Sequence, residues 1–433
     1  MNNFAILNEV SKVKFKYKNE SLVKNNSTIE PILELFKGKI FSFLLKIFTN
    51  NCIDEFGTSI FSIKKSVSRT LTNLLSTWIF SLYIDYDYSG DYFLPTNYMN
   101  VETLEFILRD MCKYDPNIVD IDMKINKILT NLKKNYKNQL ELLAEYKVSS
   151  IYNNNKNNYK IKKTSILLKK NKNMEKETSF YKFEISVHFV IKDKRLCNIL
   201  NNILIPIPIY QKLESVYTGP KNKLDEYVWG ILFRYQLLGS NNHQLAVLPS
   251  IMKQMHTDYS LNFECFASAI NNTFNHFCSI YYDLERHFGS VGSFFNIIPE
   301  EGTFGFNPPY QKDVIELGIN NLFEYLENSK KELTFIITIP IWDLEGRNIM
   351  KELYNNELEK QNIDYGDFPI IKKIKESEYF KCMKMISKDN FTYIDHNFEL
   401  YKNKTIQNTY VIILSNVAIN DSYLQEYDFE KVE

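Results

Sequence analysis

Glycine is scarce in this chain, and no G-x-G-x-x-G run of the kind that marks a generic dinucleotide site is present among its 13 glycines. Net charge is missing as well. The 52 basic and 52 acidic residues cancel, so an electrostatic hold on a nucleic acid has to come from local clusters. Arginine is limited to Arg69, Arg109, Arg195, Arg234, Arg286 and Arg347. The surplus of Lys, Asn, Ile and Tyr has the look of codon bias in an AT-rich genome, so motifs carry more information here than composition. The cysteines, Cys52, Cys112, Cys197, Cys265, Cys278 and Cys382, form no C-x-x-C pair and have no histidine at zinc spacing. That excludes a disulfide framework and a metal site and fits a reducing compartment. Residues 1–10 lack a charged segment followed by an apolar run. The most apolar stretches, 40–48 and 71–84, are too short or too polar to span a bilayer. The expectation is an intracellular chain with no membrane partner.

What is present argues for two domains in 433 residues. Over residues 1–148 apolar side chains recur every three or four positions, as in Ile32, Leu35, Phe36, Ile40 and Leu44, then Leu71, Leu74, Leu75, Trp78 and Ile79, which predicts a mainly helical domain. Residues 149–178 combine an Asn-rich stretch with eight lysines between Lys156 and Lys176. This reads as a disordered insertion, either low-complexity drift or an attraction for an RNA backbone. From 179 to 433 the texture is α/β. Phe183 to Ile191 alternates with period two, a helix pattern runs through Val228, Leu232, Tyr235 and Leu238, and strand-like runs follow at 245–248, 261–266, 294–298, 303–306 and 333–339. Two closing runs, 397–401 and 409–414, predict an antiparallel hairpin at a sheet edge. Strands alternating with helices place a ligand at the strands' carboxyl ends.

One stretch stands apart. Thr303-Phe304-Gly305-Phe306 runs straight into Asn307-Pro308-Pro309-Tyr310, and a charged helix start follows at Gln311-Lys312-Asp313. Proline fixes its own φ and biases the residue before it towards extended geometry, so the Asn307 amide and the Pro308 carbonyl are held where the strand stops. Two fixed acceptors suit the exocyclic amine of a base, whose lone pair is delocalised into the ring. Accepting both hydrogens favours a pyramidal nitrogen able to attack a methyl donor. Tyr310 is placed to lie on the base, a contact worth ~1–3 kcal/mol. The bland alternative is a rigid turn, because Asn-Pro is a common turn dipeptide. Upstream, Leu261-Asn262-Phe263-Glu264-Cys265-Phe266-Ala267-Ser268 reads as a strand ending in an acid and small residues, either a cofactor edge or an ordinary buried strand. Arg234 suits a phosphate or cap contact, or a helix face with a snorkelling arginine. Trp342 suits the mouth of a site or simple packing. His276 and His287 read as structural.

Taken in order, Phe263-Glu264-Cys265-Phe266-Ala267-Ser268, His287-Phe288-Gly289-Ser290, Asn307-Pro308-Pro309-Tyr310 and Phe335-Ile336-Ile337-Thr338-Ile339-Pro340-Ile341-Trp342 resemble the phosphorylated-CTD-interacting-factor family, the cap-specific adenosine methyltransferases of messenger RNA. The resemblance runs over residues 183–416. It implies a Rossmann-type class I methyltransferase core beside a mainly helical amino-terminal domain, S-adenosylmethionine as methyl donor and a capped RNA starting with 2′-O-methyladenosine as substrate. It also implies that Asn307, Pro308, Pro309 and Tyr310 hold the target adenine, and that Glu264, Cys265, Phe266 and Ala267, with Asn307, line the cofactor pocket. Tyr310 departs from the family's usual phenylalanine but keeps the stacking face. The family's amino-terminal WW module is not visible, so the expectation is a chain without it or its link to the polymerase tail. The resemblance implies a nuclear site of action in a cell and a cytoplasmic one for a virus or parasite replicating there. The competing functions are methylation of internal RNA or of DNA, and an inactive RNA-binding accessory role.

Overall fold

A computed structural model describes residues 13–24, 28–61, 67–82, 91–96, 98–112, 118–168, 178–191, 194–239, 245–309, 312–340, 369–387, 390–391, 393–395, 402–404, 408–420 and 424. The chain begins with strand β1 (Lys14–Tyr17) and continues through helices α1 (Pro31–Phe56), α2 (Val67–Leu82), α3 (Glu102–Cys112) and α4 (Ile121–Val148). Pro31 opens α1, where its preset φ suits the first turn and its missing N–H leaves no helical bond unmade. Ile32, Leu35, Ile40, Phe41, Leu44 and Phe48 of α1 are buried, as are Ile125, Ile128, Leu129, Leu132 and Tyr136 of α4. Each such side chain contributes ~1.5–3 kcal/mol of burial, enough to hold the helices together where propensity alone would not.

Residues 149–178 depart from the expected disorder. Ser149 caps a short helix, α5 (Ser150–Asn155), through a 3.1 Å bond from Tyr152 N to its Oγ. Strand β2 (Tyr159–Leu168) then pairs antiparallel with β3 (Thr178–Ile191), which pairs in turn with β4 (Lys194–Pro206). The physical reason lies inside the lysine run. Tyr159 and Ile161 pack on the core while Lys160 and Lys162 point to solvent, a period-two pattern that the charge disguises. Lys163, on the inward face, donates to Tyr210 and to Asp225 at 3.0 Å. Residues 169–177 lie outside the described set.

The division at 179 is not where the packing divides. Phe183, Ile185 and Val187 of β3 share one core with α1, α2 and α4, and with the buried faces of α6 (Ile207–Val216) and α7 (Leu224–Leu238). The second body is a mixed sheet. Strand β5 (Leu245–Val247) and helix α8 (Pro249–Tyr259) precede β6 (Leu261–Glu264); a loop carrying α9 (Tyr282–Glu285) leads to β7 (Ile297–Phe306), α10 (Lys312–Asn328) and β8 (Leu333–Pro340). Helix α11 (Pro369–Lys375), β9 (Phe380–Ile386) and β12 (Thr409–Ser415) complete it, while β5 pairs with β10 (Tyr393–Asp395), and β10 with β11 (Lys402–Lys404), in a separate three-stranded sheet. Strands β6, β7 and β8 are parallel neighbours in that order, with Glu264 opposite Gly305 and Thr303 opposite Thr334. Single parallel bridges extend the other flank from Glu264 to Phe277 and from Phe277 to Ser290.

Strand β12 does not form the expected edge hairpin. It lies between β8 and β9, antiparallel to both, while residues 397–401 fall outside the described set. The cause is its two-sided burial. Tyr410, Ile412 and Leu414 enter one core with α10 and α11, whereas Val411 and Ile413 enter another with α8, so only an interior position covers both faces. β1 also joins this sheet, pairing with the first half of β7, so the amino-terminal segment is not purely helical.

A buried ion cluster joins the two bodies and occupies the residue read above as a phosphate contact. Arg234 Nε and Nη2 donate to Glu34 at 2.8 and 2.9 Å, and Nη1 and Nη2 donate to Asp283 at 2.8 and 2.7 Å. Lys37 bridges Glu34 and Asp91 at 2.9 and 2.7 Å. The Phe93 and Tyr281 rings lie 5.7 and 5.1 Å from the guanidinium carbon. Burial raises the Asp91 carboxyl, but Lys37 and Arg234 overcome it and hold it at about 2. Arg234→Met should therefore leave Asp283 without its cation and Glu34 with Lys37 alone, and cost about 3–5 kcal/mol, seen as a lower urea midpoint; an unchanged midpoint would refute the assignment. Gly289 supplies a second check. At φ +105° a β-carbon there would stand 2.0 Å from the Asn275 carbonyl oxygen, so Gly289→Ala should destabilise by at least about 1–3 kcal/mol in the same measurement.

Candidate active site

The site forms where β6 and β7 end. Because the strands are parallel and in register at Glu264 and Gly305, both chains turn away at the same edge of the sheet. A pocket opens there, with a cavity volume of about 20 Å³. Glu264, Phe266, Asn271 and Asn307 supply its loop-side wall. Met252 and Met255 of α8, and Ile336 and Thr338 of β8, are among the rest. Asn307 is half-buried, Pro308 buried and Pro309 half-buried, so the amide stands at the lip of a cleft rather than in the interior. The chain changes sides of the sheet at β6, running first to Phe277 and Ser290 and then back to β7. Such switch points leave a crevice at the carboxyl ends of the strands.

The loop after β6 takes its shape from side chains in place of glycine. Glu264 Oε2 accepts from Thr273 N at 2.7 Å and from Phe274 N at 3.1 Å. Asn271 Oδ1 accepts from Ser268 N at 2.7 Å, and Glu285 Oε1 accepts from Ala269 N at 2.8 Å. Lys212 of α6 donates to Ile270 O, Asn272 O and Asn272 Oδ1 at 2.9, 3.0 and 2.9 Å. Four polar side chains thus fix one turn, each satisfying backbone groups that burial would otherwise leave unpaired. Burial pushes the Glu264 carboxyl up to about 7, against the pull of the two N–H donors and of Lys212. Burial pushes the Glu285 carboxyl up to about 7 as well, and drives the Lys212 ammonium down to about 7.

Of the residues expected to line a cofactor pocket, Glu264, Phe266 and Asn307 do so. Cys265 does not. Its N–H donates to Gly305 O at 2.8 Å and its side chain is buried in the core with Phe263 and Phe304. Ala267 packs against the core of the helical body. Arg234 belongs to the buried ion cluster and is not in this wall. Tyr310 and Trp342 lie outside the described residues. His287 is wedged between the Tyr217 and Tyr227 rings, 5.8 and 4.7 Å away. Lys212 and Glu285 were not legible as site residues, since the backbone groups they hold are distant in sequence. Among the described residues no group of three His, Cys, Asp or Glu is placed to hold a metal, and no helix is long and apolar enough to cross a membrane.

Comparison with known proteins bears on the same region. The mouse (Mus musculus) and human (Homo sapiens) proteins named mRNA (2′-O-methyladenosine-N(6)-)-methyltransferase are each 31% identical to this chain over 121 residues. The match covers 27% of this chain and 17% of each relative's length. A family model described as the phosphorylated CTD interacting factor 1 WW domain matches residues 208–365. That description overturns the expectation of a chain without a WW module. The reason is position: the expectation concerned the amino-terminal end, whereas the match lies in mid-chain. It begins in α6, runs through the Lys212 loop and Asn307-Pro308-Pro309, and extends past β8. The resemblance carried by those residues is borne out: residues 208–365 are similar to the phosphorylated-CTD-interacting-factor family, and the chain spans less than a fifth of the length of the relatives it matches.

Proposed function

We propose that the pocket between β6 and β7 binds S-adenosylmethionine and that the chain methylates N6 of adenosine in RNA, with the cap-adjacent 2′-O-methyladenosine of capped messenger RNA as the substrate. The observation that carries this reading is the parallel register that sets Glu264 and Asn307 on one pocket. Three further features support it. Both relatives are named for that reaction. The order Ser290, Phe277, β6, β7, β8, β12, β9, with β12 alone antiparallel to β8, is the arrangement expected of a Rossmann-type methyltransferase core. The residues also fit the donor. Glu264 Oε1 accepts no bond from a described residue while Oε2 is fully used, so one carboxylate oxygen is free to meet a cationic, hydroxyl-bearing ligand, and Phe266, Met252 and Met255 offer apolar surface beside it.

Bound there, S-adenosylmethionine supplies a methyl group on a positively charged sulfur. Asn307 Oδ1 and the Pro308 carbonyl accept the two amine hydrogens of the adenine, drawing its nitrogen out of conjugation and countering the positive charge that grows on it. The Pro308-Pro309 pair keeps both acceptors still, so no reorganisation is needed as that charge develops. Tyr310 holds the ring by stacking, a contact its hydroxyl does not serve. No strong base is required, because the product's proton can leave to water.

The test is a labelled methyl-transfer assay on capped RNA starting with 2′-O-methyladenosine, uncapped RNA and duplex DNA. Transfer to the capped RNA alone is expected; activity confined to DNA would remove the proposal, since it calls for base extrusion from a duplex. Asn307→Ala should lower kcat by about 10²–10³-fold at an unchanged unfolding midpoint, because it deletes an acceptor used in the transition state rather than a core contact. Donor binding should also depend on pH. Below about 7 Glu264 is protonated; above it the carboxylate is ionised. Ionisation favours a cation as pH rises, so titration calorimetry should show affinity for S-adenosylmethionine weakening as pH falls through about 7. Glu264→Gln should flatten that profile.

A further inference from the structure

Lys212 stands outside the mixed sheet, on α6 of the helical body, yet its ammonium is buried against the loop that wraps the pocket. All of its hydrogen-bonding capacity is directed there, to Ile270 O, Asn272 O and Asn272 Oδ1. No carboxylate lies within hydrogen-bonding distance of it among the described residues. An ammonium buried on carbonyl oxygens alone is expensive to keep. The contacts beyond it give it a use. Asn272 Nδ2 donates to Phe274 O at 2.9 Å, and the next two N–H groups in the chain, those of Thr273 and Phe274, are the donors that hold Glu264 Oε2. One continuous set of bonds therefore runs from Lys212 through residues 270–274 to the carboxylate at the pocket wall.

Resting on the reading of this pocket as the donor site, we infer that Lys212 is a positioning residue for the methyl donor: its ammonium locks residues 270–274, which orient Glu264 so that Oε1 faces the ligand. It touches neither donor nor adenine. Its loss acts on donor affinity through Glu264 and leaves the Asn307-Pro308 acceptors in place. In other open α/β sheets a glycine-rich turn lets the backbone itself take this shape. Here residues 265–274 contain no glycine, and a side chain from another part of the fold holds the turn from outside.

The experiment compares the full-length wild type with Lys212→Met and Asn272→Ala, using S-adenosylmethionine as the probe. Calorimetry should show a donor Kd raised about tenfold or more in Lys212→Met, as befits loss of hydrogen bonds from a charged group, with a smaller rise in Asn272→Ala. In the transfer assay the KM for the donor should rise in step, while the KM for RNA and kcat at saturating donor stay near wild type. A residue serving stability alone would lower the melting temperature without that split. Asn272→Ala keeps the ammonium and two of its carbonyl partners, so it reports even if Lys212→Met fails to fold. Folded variants that bind the donor as tightly as wild type overturn the inference by itself. A wild type that binds no donor overturns the reading of the pocket, and the inference with it.

Discussion

The parallel pairing of β6 with β7 is the constraint from which the site follows. A parallel neighbour cannot be reached by a tight turn, so the chain must leave the end of β6, travel across the sheet and return. That excursion, residues 265–296, supplies the loop that surrounds Glu264, the bridges at Phe277 and Ser290, and the short helix carrying Asp283 and Glu285. Opposite it, β7 gives way directly to Asn307, Pro308 and Pro309 before the crossover helix α10. One lip of the pocket is long and held by side chains; the other is short and stiff.

The long lip depends on the helical body as well as on the sheet. Lys212 on α6 holds residues 270 and 272, and Tyr235 on α7 donates to Glu285, whose other oxygen holds the Ala269 N–H. Ala269 and Ile270 themselves pack in the core shared by α1, α2 and α4. Arg234 adds the ion cluster with Glu34 and Asp283. Buried pairs of this kind contribute little net stability compared with apolar packing, but they tolerate no other partner, so they set how the two bodies meet. The helical half is thus part of the pocket's support, although none of α1 to α4 lines it.

Much of this was legible residue by residue. The helical spacing in α1, α2 and α4, the period-two run from Phe183 and the strand into Asn307-Pro308-Pro309 match described elements, because each signal is local and periodic. Residues 149–168 were misread because lysines on the solvent face of β2 masked the apolar face behind them. β12 was placed at an edge because short-range pairing predicts a hairpin, whereas burial on both faces puts it in the interior. Cys265 lies in the core with Phe263 and Phe304 rather than in the pocket wall, which its place beside Glu264 in the sequence did not reveal.

By itself the sequence determined the chemistry on offer: a proline-stiffened asparagine, an acid closing a buried strand, and an order of motifs that resembles the phosphorylated-CTD-interacting-factor family. Those properties reside in single residues and their immediate neighbours, so no fold is needed to read them. Only the tertiary structure decided that Glu264 and Asn307 share one pocket, that Arg234 is sealed among carboxylates and that Lys212 braces the loop. Each of those depends on which distant segments pack together and on which buried polar groups then have to find partners, and neither is written in local spacing.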